Sequence, residues 1–169
     1  GTLSQLSKLE LISLSNNKFI GPTDQIFSTH QQSLGTVDLS SNLFTGTLPS
    51  TVFDLGNMEN LILMKNKYHG SLSSNICNMK KLQVLILDGL TSGGGESYIT
   101  YMEGKIPACV FNMTDLKKFH ASGNGLIGPL ADIHPDSKLK DLTLSHNQLT
   151  GFIPSSIQSH NFTTLQLDT

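Results

Sequence analysis

Apolar residues recur along this chain in one repeating figure. Leu6, Leu9, Ile12 and Leu14 lead into Asn17, Phe19 and Gly21, and the same spacing returns at Leu139, Leu142, Leu144, Asn147, Leu149 and Gly151. Between them the figure passes through Leu34, Val37 and Leu39, then Leu61 and Leu63, Leu85 and Leu87, and Phe119 and Ala121. It starts once more at Phe162, Leu165 and Leu167, so residues 1–169 read as one domain of six full units and a partial seventh. The Asn recurs at 17, 42, 66, 124 and 147 and the Gly at 21, 46, 70, 104, 128 and 151, most steps being 23 to 25 residues. A fixed period in this range marks a solenoid, because no single unit can bury its own apolar face and neighbours must stack into one core.

Within each unit the alternating Leu-x-Leu stretch has the period of a strand with one face buried. Stacked in register, these short strands join into one parallel sheet on the concave side. The Asn that follows stands where the chain turns sharply, and its amide can bond backbone groups that the turn leaves unpaired. Asn17, Asn42, Asn66, Asn124 and Asn147 are therefore expected to form a structural ladder through the stack. The Gly four residues on suits a positive φ or a close approach, and the Pro found at positions such as 49, 107 and 154 keeps the chain extended toward the convex side. Convex segments carrying Gly, Pro and Ser are too short for regular helices, so helical content should be low.

The Gly-x-Ile/Leu-Pro signature after the Asn-x-Leu turn, seen at Gly46–Pro49 and Gly151–Pro154, resembles the plant-type extracellular leucine-rich repeat. That repeat is found in receptor-like kinase ectodomains, receptor-like proteins and polygalacturonase-inhibiting proteins. The resemblance implies an α/β repeat fold, a right-handed solenoid with a concave parallel sheet and a mostly irregular or 3₁₀ convex side. It implies an extracellular or cell-surface location. The chain departs from the pattern where Ser73 and Ala131 replace the Pro, where Leu90 or Thr100 stands in place of the fourth unit's Asn, and where Ala121 thins the core. Both ends break the pattern in mid-unit without the Cys-bearing caps usual in the family, so the chain is expected to be an excerpt of a longer protein that contacts flanking repeats or neighbouring subunits.

Composition narrows the function classes. The formal charge is -2, and all 11 basic residues are lysines, so the bidentate arginine forks that suit phosphates and base edges are missing and nucleic acid is not an expected partner. The longest apolar runs fall far short of a membrane span. Residues 89–96 are glycine-rich but lack the Lys and Ser/Thr of a phosphate-binding loop. The histidines show no metal-ligand spacing, and no nucleophile has a readable base. No enzyme activity, cofactor or metal is expected.

Cys77 and Cys109 fall near the same phase of neighbouring units on the outer side. Spacing leaves open a disulfide between adjacent coils or two buried thiols. Asn112-Met113-Thr114 and Asn161-Phe162-Thr163 are glycosylation sequons.

Binding surfaces are sought on the solvent side of the sheet. One column reads Ser13, Asp38, Ile62, Ile86, His120, Thr143 and Gln166, and its middle is apolar. With Met64 and Val84 from the adjacent columns, Ile62 and Ile86 would make one patch, bordered by Asp38, Lys118 and His120. An apolar cluster rimmed by polar groups is a candidate contact surface. Beside it the step from Gly70 to Gly104 is 34 residues, which places an insertion at 89–103 carrying a glycine run and the tyrosines Tyr98 and Tyr101. Insertions in repeats map to one face, often the binding face. The expected function is an extracellular recognition module that takes a protein, peptide or glycan ligand on its concave face and rim insertion. The alternative is a structural or assembly subunit that contacts neighbours through the solenoid ends or convex side.

Overall fold

The computed structural model describes residues 3–89 and 102–168. One sheet contains seven parallel strands, each from one coil, in chain order: Leu11–Ser13, Thr36–Asp38, Asn60–Ile62, Val84–Ile86, Lys118–His120, Asp141–Thr143 and Thr164–Gln166. The register is unbroken, with Ile12, Val37, Leu61, Leu85, Phe119, Leu142 and Leu165 side by side. All but the last are buried, and with Leu39, Leu63, Leu87, Ala121 and Leu144 they form the sheet side of the core. The expected alternation thus holds, and the chain folds as a right-handed solenoid with this sheet on its concave side.

The ladder asparagines tie coil to coil. The Asn66 amide donates to the carbonyls of Leu63 and Met64 in its own coil and of Leu39 in the preceding one, while its Oδ1 accepts the Phe44 N–H at 3.1 Å. Asn42, Asn124 and Asn147 repeat this pattern. Asn17 is exposed, and among the described residues its side-chain amide bonds Leu14 and Ser15 of its own coil. The residue before the ladder position is left-handed even where it is not glycine: φ is 55° at Ser41, 56° at Lys65 and 56° at His146.

After the turn the chain forms narrow strands on the flank, in a three-stranded and a four-stranded parallel sheet. These end near glycines of positive φ, such as Gly46 at 88° and Gly104 at 81°. The convex side carries 3₁₀ turns at Ser50–Asp54, Ser74–Asn78 and Ala108–Asn112 and a single turn of α-helix at Ser155–Ser159. Pro49, Pro107 and Pro154 stand immediately before three of these, in extended conformations. Ser73 replaces the proline by capping, its side chain accepting the Asn75 N–H at 3.2 Å. At Ala131 the departure has a structural effect: the fifth coil has no 3₁₀ turn there, and its Ile133 N–H goes to the Ser156 hydroxyl of the next coil instead.

Two sequence expectations are adjusted by the geometry. The ends of the 89–103 insertion belong to the framework, because Gly89 donates its N–H to Ser122 and Met102 and Glu103 pair with Gly70 and Ser71. Residues 90–101, with Tyr98 and Tyr101, lie outside the described residues. Gly89 itself is obligatory for packing, since a Cβ there would lie 2.0 Å from the Gly123 carbonyl oxygen. The two cysteines are bonded: Cys77 in one 3₁₀ turn and Cys109 in the next form a disulfide across the coil that carries the insertion.

Candidate functional site

The inner face is built from the strand residues that point away from the core and from the residue following each strand's last leucine. Its central column runs Ser13, Asp38, Ile62, Ile86, His120, Thr143 and Gln166 in direct register. Asn60, Val84, Lys118 and Asp141 form the column on the strand-entry side. Met64, Asp88, Ser122, Ser145 and Asp168 follow on the exit side.

Ile62, Met64, Val84 and Ile86 are half-buried and adjacent, Ile62 opposite Ile86 and Val84 next to Asn60. Asp38 borders them one strand earlier and Lys118 and His120 one strand later. The expected patch is therefore a contiguous strip on the described face, although its members are less open than a free surface position. Thr143 departs further: it is buried rather than facing solvent, as is Ser145. Thr143 lies between His120 and Gln166 on the inner side of a curved sheet, where side chains from neighbouring strands converge.

Sequence reasoning overlooked the polar half of this face. His120 Nε2 lies 3.0 Å from Asp141 Oδ1, an ion-pair approach without hydrogen-bond alignment, and its Nδ1 lies 3.9 Å from Asp88. Lys118 binds the other oxygen of Asp141 at 2.8 Å. Asp88 accepts the Ser122 N–H at 2.7 Å, and Asp168 accepts the Ser145 hydroxyl at 2.6 Å. Asp88, His120, Ser122, Gln166 and Asp168 help line an open pocket of about 420 Å³. The exit-side column was visible in the repeat frame, and following it past Asp88 to Asp168 is the signal that would have found this pocket.

The two carboxyls beside His120 are tuned in opposite directions. Burial pushes Asp88 above the usual carboxylate range, with Asp141 adding to the rise, and the Ser122 N–H and His120 only partly offset it. Burial also raises Asp141, but the contacts from Lys118 and His120 together outweigh it and hold that carboxyl low. Asp141 therefore stabilises the fold above the ordinary carboxylate range and loses that contribution as pH falls through its depressed value. Asp88 does the reverse, adding a penalty as pH rises from the ordinary range through its raised value. Asp88→Asn keeps an oxygen for the Ser122 N–H and is expected to melt at a higher temperature than wild type at neutral pH, the difference closing below about pH 4. A lower melting temperature at neutral pH would show that the charged carboxylate is a net stabiliser.

Asn112 and Asn161, the two sequon asparagines, are both exposed. Among the described residues no cluster of His, Cys, Asp or Glu is arranged to hold a metal ion, and no helix is long and apolar enough to cross a membrane.

A parallel-sheet solenoid with an asparagine ladder defines a leucine-rich-repeat protein, and the family model described as Leucine Rich Repeat matches residues 33–55 and 138–160. The chain is a leucine-rich-repeat protein, and its repeats are similar to those of plant receptor-like kinases and receptor-like proteins. It is 31% identical over 159 residues to the receptor-like kinase TMK2 of Arabidopsis thaliana, covering 91% of this chain and 17% of that protein. It is 32% identical over 112 residues to the receptor-like protein EIX2 of Solanum lycopersicum, covering 64% of this chain and 9% of that one. The chain thus spans less than a fifth of the length of these relatives. Among solved structures it is similar to the plant peptide hormone receptor RGFR1 in complex with RGF2, with a TM-score of 0.83 and 29% identity over 98% of this chain and 25% of that chain. It is also similar to the Arabidopsis receptor kinase HAESA in complex with the peptide hormone IDA and the co-receptor SERK1, at 0.81 and 26%, over 96% and 26%.

Proposed function

We propose that this chain is a recognition segment of an extracellular plant receptor that binds an extended peptide, or an extended segment of a protein, across its concave face. The observation that carries this is the strip of Ile62, Met64, Val84 and Ile86 at the middle of a continuous inner sheet, bordered by Asp38, Lys118 and His120. Aliphatic side chains need no such arrangement to fold, because the core is complete on the other side of the same strands. Two similar structures hold peptide hormones, which supports a peptide as the ligand class. The disulfide and the exposed sequons at Asn112 and Asn161 fit an oxidising, glycosylating compartment.

The test uses random dodecapeptides displayed on phage and selected on the folded chain. Ile62→Lys with Ile86→Lys is expected to leave the circular dichroism and melting transition close to wild type, because both side chains face away from the core. Binding of the selected peptides should fall at least about tenfold, the loss of one well-packed aliphatic contact. Unchanged affinity in a folded double variant would remove the concave face from the account.

A further inference from the structure

The inner face is divided: aliphatic over the strands Asn60–Ile62 and Val84–Ile86, and acidic and polar from Asp88 to Asp168. The lysines near the face are already engaged. Lys118 pairs with Asp141, Lys138 with Asp115, Lys117 with Gln83, and Lys140 with the Asn161 carbonyl. Asp88 and Asp168 are different. Each spends one oxygen on a serine, at Ser122 and Ser145, and neither has a lysine partner among the described residues. His120 and His146 are the other titratable groups that line this pocket, and no lysine lines it. The pocket's volume of about 420 Å³ is ample for a lysine or arginine side chain.

Resting on the concave-face reading above, we propose that the ligand is a peptide segment in which an aliphatic residue on the Ile62–Ile86 strip is followed or preceded, two to four positions away, by a basic residue seated in the Asp88–Asp168 pocket. The spacing comes from the sheet. Strands lie about 4.8 Å apart, so the strip and the pocket centre, roughly two strands apart, are separated by about 10 Å, which about three residues of extended chain cover at roughly 3.3 Å each. Charge complementarity selects a cation there. The serine hydroxyls, Thr143 and Gln166 add neutral partners along the path.

The experiment is a selection from peptides with one fixed central leucine and all other positions random, followed by affinity measurements with synthetic peptides. Lysine and arginine should be enriched two to four places from the leucine, and aspartate and glutamate depleted. Replacing that basic residue by glutamine should weaken binding to wild type at least about tenfold. The same replacement should have no effect on Asp88→Asn/Asp168→Asn, whose amides keep the serine contacts but remove both charges. Raising the salt concentration should weaken the basic peptide and spare the glutamine peptide. Peptides that lose affinity on Ile62→Lys/Ile86→Lys yet show no preference for a basic residue would overturn this inference and leave the concave site standing. A selection that yields no peptide, or only peptides indifferent to Ile62 and Ile86, overturns both.

Discussion

Asn66→Ala is expected to lower the unfolding free energy by about 2–3 kcal/mol, whereas Asn17→Ala should cost less than about 1 kcal/mol. Both are ladder asparagines in the same position of the repeat, so composition and local propensity do not separate them. Their surroundings do. Asn66 is 5% exposed and links two coils, accepting the Phe44 N–H and donating to the carbonyls of Leu39, Leu63 and Met64. Alanine removes the partner of the Phe44 N–H and of the Leu63 carbonyl inside the stack, while the Leu39 and Met64 carbonyls keep the Asn42 amide and the Ser41 N–H, and each unpaired buried group carries a desolvation penalty. The Asn17 side chain is exposed and bonds the Leu14 and Ser15 carbonyls of its own coil, so water replaces what its amide supplied. Urea unfolding of the two variants checks the contrast. Equal losses would mean that the side chain acts only through the local turn.

The disulfide carries the second large effect. Cys77 and Cys109 are 32 residues apart and close a loop around the coil in whose sequence Leu90 or Thr100 replaces the usual Asn. The ladder passes from Asn66 directly to Asn124, whose amide reaches back to the Leu87 carbonyl and whose Oδ1 accepts the Met102 N–H. The coil between them is thus held by Asn124 on the turn side and by the disulfide on the convex side. Closing a loop of this length restricts the unfolded chain by roughly 3–4 kcal/mol. Cys77→Ser with Cys109→Ser should therefore lose about 3–4 kcal/mol in urea unfolding, and a thiol reductant should shift wild type by the same amount while leaving the double variant unmoved. A double variant as stable as wild type would show that stacking alone holds the insertion-bearing coil.

The strands and their faces were legible because the period of the apolar positions is the period of the structure: Leu61 and Leu63 are buried and Ile62 between them is not fully so. The ladder was legible for the same reason, since one residue type recurs at one phase. The left-handed residues Ser41, Lys65 and His146 were not, because their conformation is imposed by the turn the asparagine holds and nothing in those side chains announces it. The state of Cys77 and Cys109 was open in the sequence because phase alone fixes neither the approach nor the direction of two side chains. The polar pocket was missed for a different reason. Asp141 and Asp168, on columns either side of the central one, become part of a single face only when the register sets them beside His120, Thr143 and Gln166.

A crystal structure of the chain with a selected peptide tests the central claim most directly. The account predicts an extended segment crossing the inner sheet, with an aliphatic side chain against Ile62 and Ile86 and a basic one within reach of Asp88 or Asp168. A peptide seated instead on the 3₁₀ turns of the convex side, or on the flanking sheets, would contradict it.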